Sequence, residues 1–319
     1  MDIDYLLLLQ NFREGIGGFL SPLMDWLTKM SVSFWPFITC CMIYWVADRR
    51  SGKRILFGFG TSLLSNGLLK LIFCVNRPWI RCDAIEPYGD AKVAATGYSF
   101  PSGHTTWATS IYGGIGIWQW KKRRWISIIA FVTMLLTMFS RNFLGVHTPQ
   151  DVIVGMLSSF LMMFIACSIE NWTDKNPHRD IYVMIGGLVL CVGLVIFYYL
   201  KPYPVTFKED GSLLVDPVKM IGDSFEGIGF ISSYVVCRYF ERRGFGFDTE
   251  IDWKTRFVIG TFCLLPLIWW REHSCAIFTD LFNRNVGQFA SFSVPVVYVM
   301  IIVPLIMKKV AASKKSQPA

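Results

Sequence analysis

Three short clusters of charged and polar residues interrupt the long apolar runs of this chain. In one-letter code they are KLIFCVNRP (70–78), FPSGHTT (100–106) and SRNFLGVHTPQD (140–151). Together they supply lysine and arginine cations, two imidazoles, a carboxylate and a serine–glycine pair. Charged side chains at the edge of a membrane are costly and are usually functional. The clusters therefore indicate a site that handles a charged substrate.

The first cluster predicts two cations near the end of one helix. Lys70 and Arg77 are separated by almost two helical turns, so they are expected to share a face at a distance of about 10 Å. Pro78 disfavours helical geometry at Arg77 and predicts that the helix ends there. The alternative is an ordinary pair of interfacial cations whose long side chains reach from a span into water.

The second cluster predicts the start of a helix. Ser102 is a preferred N-cap residue, and Gly103 allows an anion to approach the free backbone N–H groups of the first turn. His104 would then project from that turn. The alternative is a capped helix that happens to carry an interfacial histidine.

The third cluster predicts a histidine paired with a carboxylate. The segment Thr148–Asp151 has the order of an N-cap, N1, N2 and N3 and resembles a capping box. His147 precedes it, and a carboxylate on one imidazole nitrogen fixes the tautomer and leaves the other nitrogen basic. Asp151 could equally serve only as the cap of its own helix. Arg141 ends the preceding apolar run and is expected to return beside His147 through a short turn.

These residue types suit phosphate chemistry. Arginine forks and lysine point charges bind phosphate oxygens, and helix N-termini add N–H donors. A histidine backed by a carboxylate suits a nucleophile or base, and a second histidine suits an acid. No cofactor or metal is expected, because zinc or magnesium would require several carboxylates or Cys/His ligand spacings. The residues therefore predict metal-free phosphoryl transfer through a phosphohistidine.

The ordered motifs K-x6-R-P, P-S-G-H and S-R-x5-H-x3-D are all complete and resemble the signature of the phosphatidic acid phosphatase type 2 superfamily. The resemblance covers residues 50–170 firmly and the flanks loosely. It implies that His147 attacks phosphorus, that Asp151 holds its ring, and that His104 protonates the leaving oxygen and then activates water. It also implies the helical bundle shared with vanadium haloperoxidases. The phosphate oxygens would be bound by Lys70, Arg77, Ser102, Gly103 (through its backbone N–H) and Arg141.

Composition places the chain among multi-pass membrane proteins of the all-α class. Of its 319 residues, 53% are hydrophobic and 17% are charged, and the apolar residues come in long blocks. The net charge of +8 is explained by basic cytoplasmic loops, so nucleic-acid binding is excluded. The nine cysteines form no CxxC pair, and most lie in apolar runs. The acidic N-terminus lacks the features of a removable signal peptide.

Hydropathy predicts about nine transmembrane helices. The division is an interfacial segment at 1–27, a catalytic core at 28–170, additional helices at 171–307 and a basic tail at 308–319. No chemistry is assigned to the last three helices. The nine predicted spans are 28–47, 55–75, 102–120, 125–143, 149–169, 181–200, 219–237, 257–271 and 289–307.

Charge predicts the orientation. Alternate connections and the tail hold 19 of the 31 lysines and arginines, so they are expected in the cytoplasm, with the N-terminus outside. The span 219–237 is the least apolar because it carries Asp223 and Glu226, yet omitting it would move the cations of 238–256 to the wrong side. All three clusters then lie on the outer face. Asp223 and Glu226 are expected in the bundle interior or along substrate access, and His178 and His273 at the interface.

The expected activity is hydrolysis of a lipid phosphate, such as a phosphatidate-like lipid or a polyprenyl diphosphate, at the outer leaflet of a cell membrane. The expected partners are that lipid and the bilayer, and the sequence does not predict an oligomeric state. One alternative is a phosphatase of a soluble sugar phosphate, resembling glucose-6-phosphatase. Haloperoxidase activity is a further alternative. A non-enzymatic transporter or scaffold should lack His104 or His147, and both are present.

Overall fold

A computed structural model describes residues 2–208, 211–245 and 251–315. Within these ranges the chain is helical, and the β-structure consists of one isolated bridge between Phe207 and Leu213. This confirms the predicted all-α class. The helices are α1 (Asp2–Gly15), α2 (Ser21–Ser31), α3 (Phe34–Met42), α4 (Arg49–Phe73), α5 (Pro78–Arg81), α6 (Ala91–Ala94), α7 (Gly103–Ala108), α8 (Gly114–Gln119), α9 (Arg124–Phe143), α10 (Pro149–Asp174), α11 (Asp180–Leu200), α12 (Pro217–Phe240), α13 (Trp253–Phe262), α14 (Leu264–Leu281), α15 (Arg284–Val297) and α16 (Val303–Lys315).

Single π-helical turns extend or join several of these helices. The turn Ile43–Ala47 prolongs α3, Thr109–Gly113 joins α7 to α8, and Tyr298–Ile302 joins α15 to α16. The chain from Gly103 to Gln119 is therefore helical throughout, and the second cluster lies at the start of this continuous helical segment.

The number of membrane-spanning helices differs from the prediction. Five segments of the described chain are long and apolar enough to cross a membrane, or up to six if the bent pair α2–α3 counts as one span. The pair is bent by 42° at the break that precedes Phe34. The chain is thus multi-pass, but nine spans are not confirmed. The five segments are Arg49–Arg81, Arg124–Phe143, Pro149–Asp174, Pro177–Leu200 and Arg284–Ser313.

Three other predicted spans are helical but fall short for identifiable reasons. The element at 102–120 is short and ends at Gln119. Helix α12 is long, but Lys219, Asp223 and Glu226 make it more polar than the five segments named above. The span predicted at 257–271 is broken at Cys263 into α13 and α14.

Helix α12 lies in the centre of the bundle and packs against α4, α11 and α15. Two glycines permit this close packing. A Cβ at Gly227 would lie 2.6 Å from the backbone of Leu64 in α4, and one at Gly229 would lie 2.4 Å from the carbonyl oxygen of Phe289 in α15. Any larger side chain would force the helices apart. The polar face of α12 is therefore held against the end of α4 that carries the first cluster.

The connections rich in lysine and arginine, which the charge pattern predicts in the cytoplasm, meet at one end of the bundle. At this end the buried Arg238 of α12 pairs with Glu170 and Asp180, each at 2.6 Å. The three clusters lie at the opposite end, because α10 begins beside His147 and ends at Asp174, about 39 Å away along the helix axis. The contacts that join the basic segments are Arg50–Asp174 (3.0 Å), Lys122–Asp48 (3.1 Å), Arg242–Asp174 (2.8 Å) and Lys308 Nζ to the Gly244 carbonyl (3.3 Å).

Candidate active site

A cavity of about 450 Å³ opens at the end of the bundle where the three clusters lie. Residues from all three clusters line it, although they are far apart in the sequence. Two of the predicted site residues, Ser102 and Asp151, do not line the cavity and lie behind its wall. The six that line it are Lys70, Arg77, Gly103, His104, Arg141 and His147.

His147 and Asp151 form a buried pair. Nδ1 of His147 lies 3.2 Å from Oδ2 of Asp151, and each residue is 2% exposed. The same carboxylate oxygen accepts hydrogen bonds from the backbone N–H of Thr148 at 2.9 Å and from the hydroxyl of Ser99. Because the carboxylate accepts at Nδ1, we assign that nitrogen the proton and leave Nε2 with its lone pair.

Local sequence explains why the pair forms. Thr148 and Asp151 make the predicted capping box, so Asp151 serves both its helix and the histidine four residues before it. The turn from α9 needs a left-handed residue at Gly145, whose φ is +74°. Asn142 then fixes the returning chain by donating from Nδ2 to the carbonyl oxygen of His147 at 2.8 Å.

The free nitrogen of His147 faces a cation. Nη1 of Arg77 lies 3.0 Å from Nε2 of His147 and 3.1 Å from the carbonyl oxygen of Val146. Burial lowers the pKa of His147 well below its usual value, and the charge of Arg77 acts in the same direction, whereas Asp151 opposes it. His147 is therefore neutral at pH 7, with a lone pair available for bond formation.

Three cations surround the cavity without carboxylate partners. Among the described residues, Lys70 donates to the Tyr98 carbonyl oxygen at 2.9 Å, Arg141 donates to the Thr28 hydroxyl at 3.2 Å, and neither forms an ion pair. Within the described residues, Arg77 donates to backbone carbonyl oxygens and approaches Nε2 of His147. The buried Nε of Arg141 has no hydrogen-bond partner in this described part of the chain. Cations left this way are costly unless an anion binds between them.

The predicted geometry of the first cluster is wrong in one respect. Helix α4 ends at Phe73, and Cys74 follows in the left-handed conformation with φ of 48°. Arg77 has extended backbone geometry and precedes α5, so it does not share a helix face with Lys70. The chain instead folds back across the end of α4 and brings both cations to the same cavity.

The second cluster forms the predicted helix start. The Ser102 hydroxyl accepts from the backbone N–H of Thr105 at 3.4 Å, and the backbone N–H of Ser102 donates to the carbonyl oxygen of Asp151 at 2.9 Å. A Cβ at Gly155 would lie 3.0 Å from the Ser102 carbonyl oxygen, so glycine permits this contact with α10. His104 is half-buried, lines the cavity and makes no side-chain hydrogen bond within the described chain.

Sequence reasoning missed several residues of this site. Ser99 supports Asp151, and Asn66 lines the cavity while donating to the Thr106 hydroxyl at 2.9 Å. The sequence assigned no chemistry to the last helices, and the structure shows that α12, α14 and α15 supply polar residues to the same cavity. For α12 the available signal was the i, i+4 and i+7 spacing of Lys219, Asp223 and Glu226, which places them on one helix face. The sequence missed Lys219, Arg271, Arg284 and Gln288, whereas it had placed Asp223 and Glu226 in the bundle interior or along substrate access.

Residues 52–175 match the model of the PAP2 superfamily, the family whose signature the three motifs resemble. The match contains all three clusters; it begins at residue 52, inside the predicted core of 28–170, and ends at residue 175, just beyond that core. The predicted domain boundaries themselves remain predictions.

Curated relatives share this part of the chain. Undecaprenyl-diphosphatase of Sulfolobus acidocaldarius is 26% identical over 167 residues, which cover 52% of this chain and 77% of the relative. Phosphatidylglycerophosphatase B of Bacillus subtilis is 32% identical over 36% of this chain and 55% of the relative. The Escherichia coli K12 protein of the same name is 40% identical over 22% of this chain and 28% of its own length. No solved structure matches the chain.

Proposed function

We propose that this chain, with its PAP2 domain, is an integral membrane phosphatase that hydrolyses a phosphate monoester or diphosphate of a lipid at the extracytoplasmic face. The family match and the names of its relatives make it a phosphoric ester hydrolase. One observation carries the finer proposal: cations without counter-ions surround a cavity into which the free nitrogen of a buried His–Asp pair projects.

In the first step, the Nε2 lone pair of His147 attacks phosphorus and forms an N–P bond. The P–O bond to the leaving group breaks, and His104 transfers its proton to the departing oxygen. The bound phosphate favours the protonated form of His104, because a nearby negative charge stabilises an imidazolium. Asp151 stabilises the positive charge that develops on the ring of His147.

In the second step, water attacks the phosphohistidine. His104 now accepts the proton of that water, the N–P bond breaks, and the electron pair returns to Nε2 of His147. Inorganic phosphate leaves, and His104 is protonated again for the next cycle. One histidine thus acts as acid and then as base, as a double displacement requires.

The cations stabilise the charge that moves onto the phosphoryl oxygens. Arg77 and Arg141 would bind these oxygens with their planar forks, Lys70 would act as a point charge, and the N–H of Gly103 would donate from the helix start. When phosphate binds, Nη1 of Arg77 exchanges its hydrogen bond to Nε2 of His147 for one to a phosphate oxygen. The lone pair of Nε2 is then available for attack. The motif also suggests Ser102 as a phosphate ligand, but it lies behind the cavity wall and would act by capping the helix start that presents Gly103.

The position of the cavity supports a lipid substrate and the outward face. It lies at the end of the apolar bundle, where a phosphate head can enter while its tail remains in the bilayer. The basic segments lie at the other end, and the positive-inside rule assigns that end to the cytoplasm. This orientation gives an extracytoplasmic site and a cytoplasmic C-terminus.

Phosphate release from a panel of substrates tests this function. Purified protein in detergent micelles with EDTA is expected to release phosphate from a lipid monophosphate and a lipid diphosphate. It should act far more slowly on a sugar phosphate, because the sugar has no tail to hold it at the cavity. Activity should be the same with and without the chelator.

Each other result contradicts part of the proposal. Preference for the sugar phosphate would favour the soluble-substrate alternative. Loss of activity on chelation would exclude the metal-free mechanism. Release from none of the esters would favour a transporter or scaffold.

A further inference from the structure

A second group of charged side chains lines the cavity beside the phosphate-binding cations. It comes from helices outside the PAP2 match, and its centre is Asp223 of α12. Lys219 lies 3.1 Å from Oδ2 of Asp223, and Arg284 of α15 lies 2.5 Å from Oδ1. One carboxylate therefore holds two cations at the edge of the cavity.

Two further charges of this group have no ion-pair partner. Glu226 of α12 and Arg271 of α14 line the cavity, and neither makes a hydrogen bond or salt bridge within the described chain. The amide of Gln288, one turn after Arg284, also lines the cavity and makes no hydrogen bond with these residues. Arg271 and Gln288 can therefore offer N–H donors to an anionic ligand.

The packing of α12 holds this group in place. Lys219, Asp223 and Glu226 share one helix face through their i, i+4 and i+7 spacing. The side chain of Arg284 crosses α12 at Gly222, where a Cβ would lie 3.0 Å from Cγ and Cδ of the arginine. Glycine at this position lets Arg284 pass close to α12 and reach Asp223; a larger residue would require the arginine to shift.

The charge of the cavity exceeds what a single phosphate can neutralise. Six cations and two carboxylates line it, which leaves four positive charges in excess when the histidines are neutral. A phosphate monoester carries a charge of only about −2 at neutral pH. The excess indicates a substrate with a second anionic group next to the transferred phosphate.

A small apolar crevice adjoins the cavity. It is lined mainly by aromatic residues, and it shares Trp107, Arg271 and Phe292 with the cavity. Arg271 of the second charged group therefore borders both the cavity and an apolar surface. A group bound there would connect the reacting phosphate to the tail.

We propose that Lys219, Arg271 and Arg284 form a subsite for a second phosphate of the substrate, the one nearer the lipid tail. The proposal rests on the proposed function and deepens it. A second phosphate would compete with Asp223 for Lys219 and Arg284 and would draw in Arg271. It can come from a diphosphate, or from a phosphodiester that joins a terminal glycerophosphate to a lipid.

The variant Arg284→Gln tests this subsite by steady-state kinetics on three lipids: a monophosphate, a prenyl diphosphate and a lipid with a terminal glycerophosphate joined through a phosphodiester. We expect KM to rise about tenfold or more for at least one lipid with two phosphates, because a charge-assisted contact is lost. For the lipid monophosphate, KM should change less than about twofold. Arg284→Lys should restore part of the affinity.

The controls separate this inference from the proposed function. Arg243→Gln removes an exposed cation at the opposite end and should leave all three KM values unchanged. If Arg284→Gln does not fold, Arg271→Gln gives the same test, because its side chain holds no partner in the described chain. Which of the two-phosphate lipids responds identifies the source of the second phosphate.

Equal changes for lipids with one and two phosphates, or no change, would overturn the subsite while leaving the phosphatase function intact. Wild-type protein that hydrolyses none of the lipids would instead overturn the proposed function. Binding gives an independent measurement. Inorganic pyrophosphate should raise the melting temperature of the wild type more than orthophosphate does, and Arg284→Gln should remove that difference.

Discussion

The variant His147→Ala is expected to lose phosphate release almost completely, with kcat reduced by about 10⁴-fold or more, as for loss of a nucleophile that acts with its base as a unit. The imidazole is buried and held by Asp151, and its Nε2 is the nitrogen that faces Arg77 and the cavity. Alanine leaves no group that can form the covalent intermediate. Phosphate release from a lipid phosphate in detergent measures the effect.

The matched control for this variant is His178→Ala. His178 is exposed and lies in the connection between α10 and α11, at the end of the bundle opposite the cavity. The activity of the His178→Ala variant should equal that of the wild type. If His147→Ala retained more than about one tenth of wild-type activity, loss of a nucleophile would not account for it, and direct attack by water would be favoured.

The variant His104→Ala is expected to depend on the leaving group. With a lipid alcohol, which needs a proton to depart, kcat should fall by about 10²–10⁴-fold, the usual contribution of a general acid. With a nitrophenyl phosphate, whose leaving oxygen is stable as an anion, the first step needs no proton. Formation of the phosphoenzyme should then be slowed less than about tenfold.

A rapid-quench measurement of nitrophenol release makes this distinction. The first turnover should appear as a burst in His104→Ala, since the second step still lacks its base. His147→Ala should show no burst with either ester. If His104→Ala slowed the first step equally on both esters, His104 would not be the acid, and a role in binding phosphate would be favoured.

Local signals in the sequence were enough to predict the centre of the site. The capping box places Asp151 four residues after His147, so the pair is set by one helical turn and needs no knowledge of distant packing. Ser102 marks the start of α7 in the same way. The family motifs add the order of the clusters, and the structure brings them to a single cavity.

Other features depend on contacts that no local pattern reveals. Ser99 reaches Asp151 across 52 positions of sequence, and a single serine carries no signal for that contact. Cys74 ends α4 in a conformation that usually favours glycine, so the helix end was predicted too late. The cations Lys70 and Arg77 were predicted to meet on one helix face, but chain reversal brings them together.

The hydropathy used to predict membrane spans obscured the role of α12. Lys219, Asp223 and Glu226 lower its hydropathy, so it was the least apolar of the predicted spans. The same residues line the cavity, which explains why they are present. Polarity in the middle of an otherwise apolar bundle was evidence of a site, as charge inside a membrane usually is.

The covalent intermediate is the central claim, and the stereochemistry at phosphorus tests it most directly. A lipid phosphate made chiral with oxygen isotopes would be cleaved in the presence of an acceptor alcohol, and the configuration of the new ester would be determined. Attack by His147 followed by attack by the acceptor inverts phosphorus twice, so the account predicts retention. Net inversion would mean a single direct displacement and would contradict the phosphohistidine mechanism.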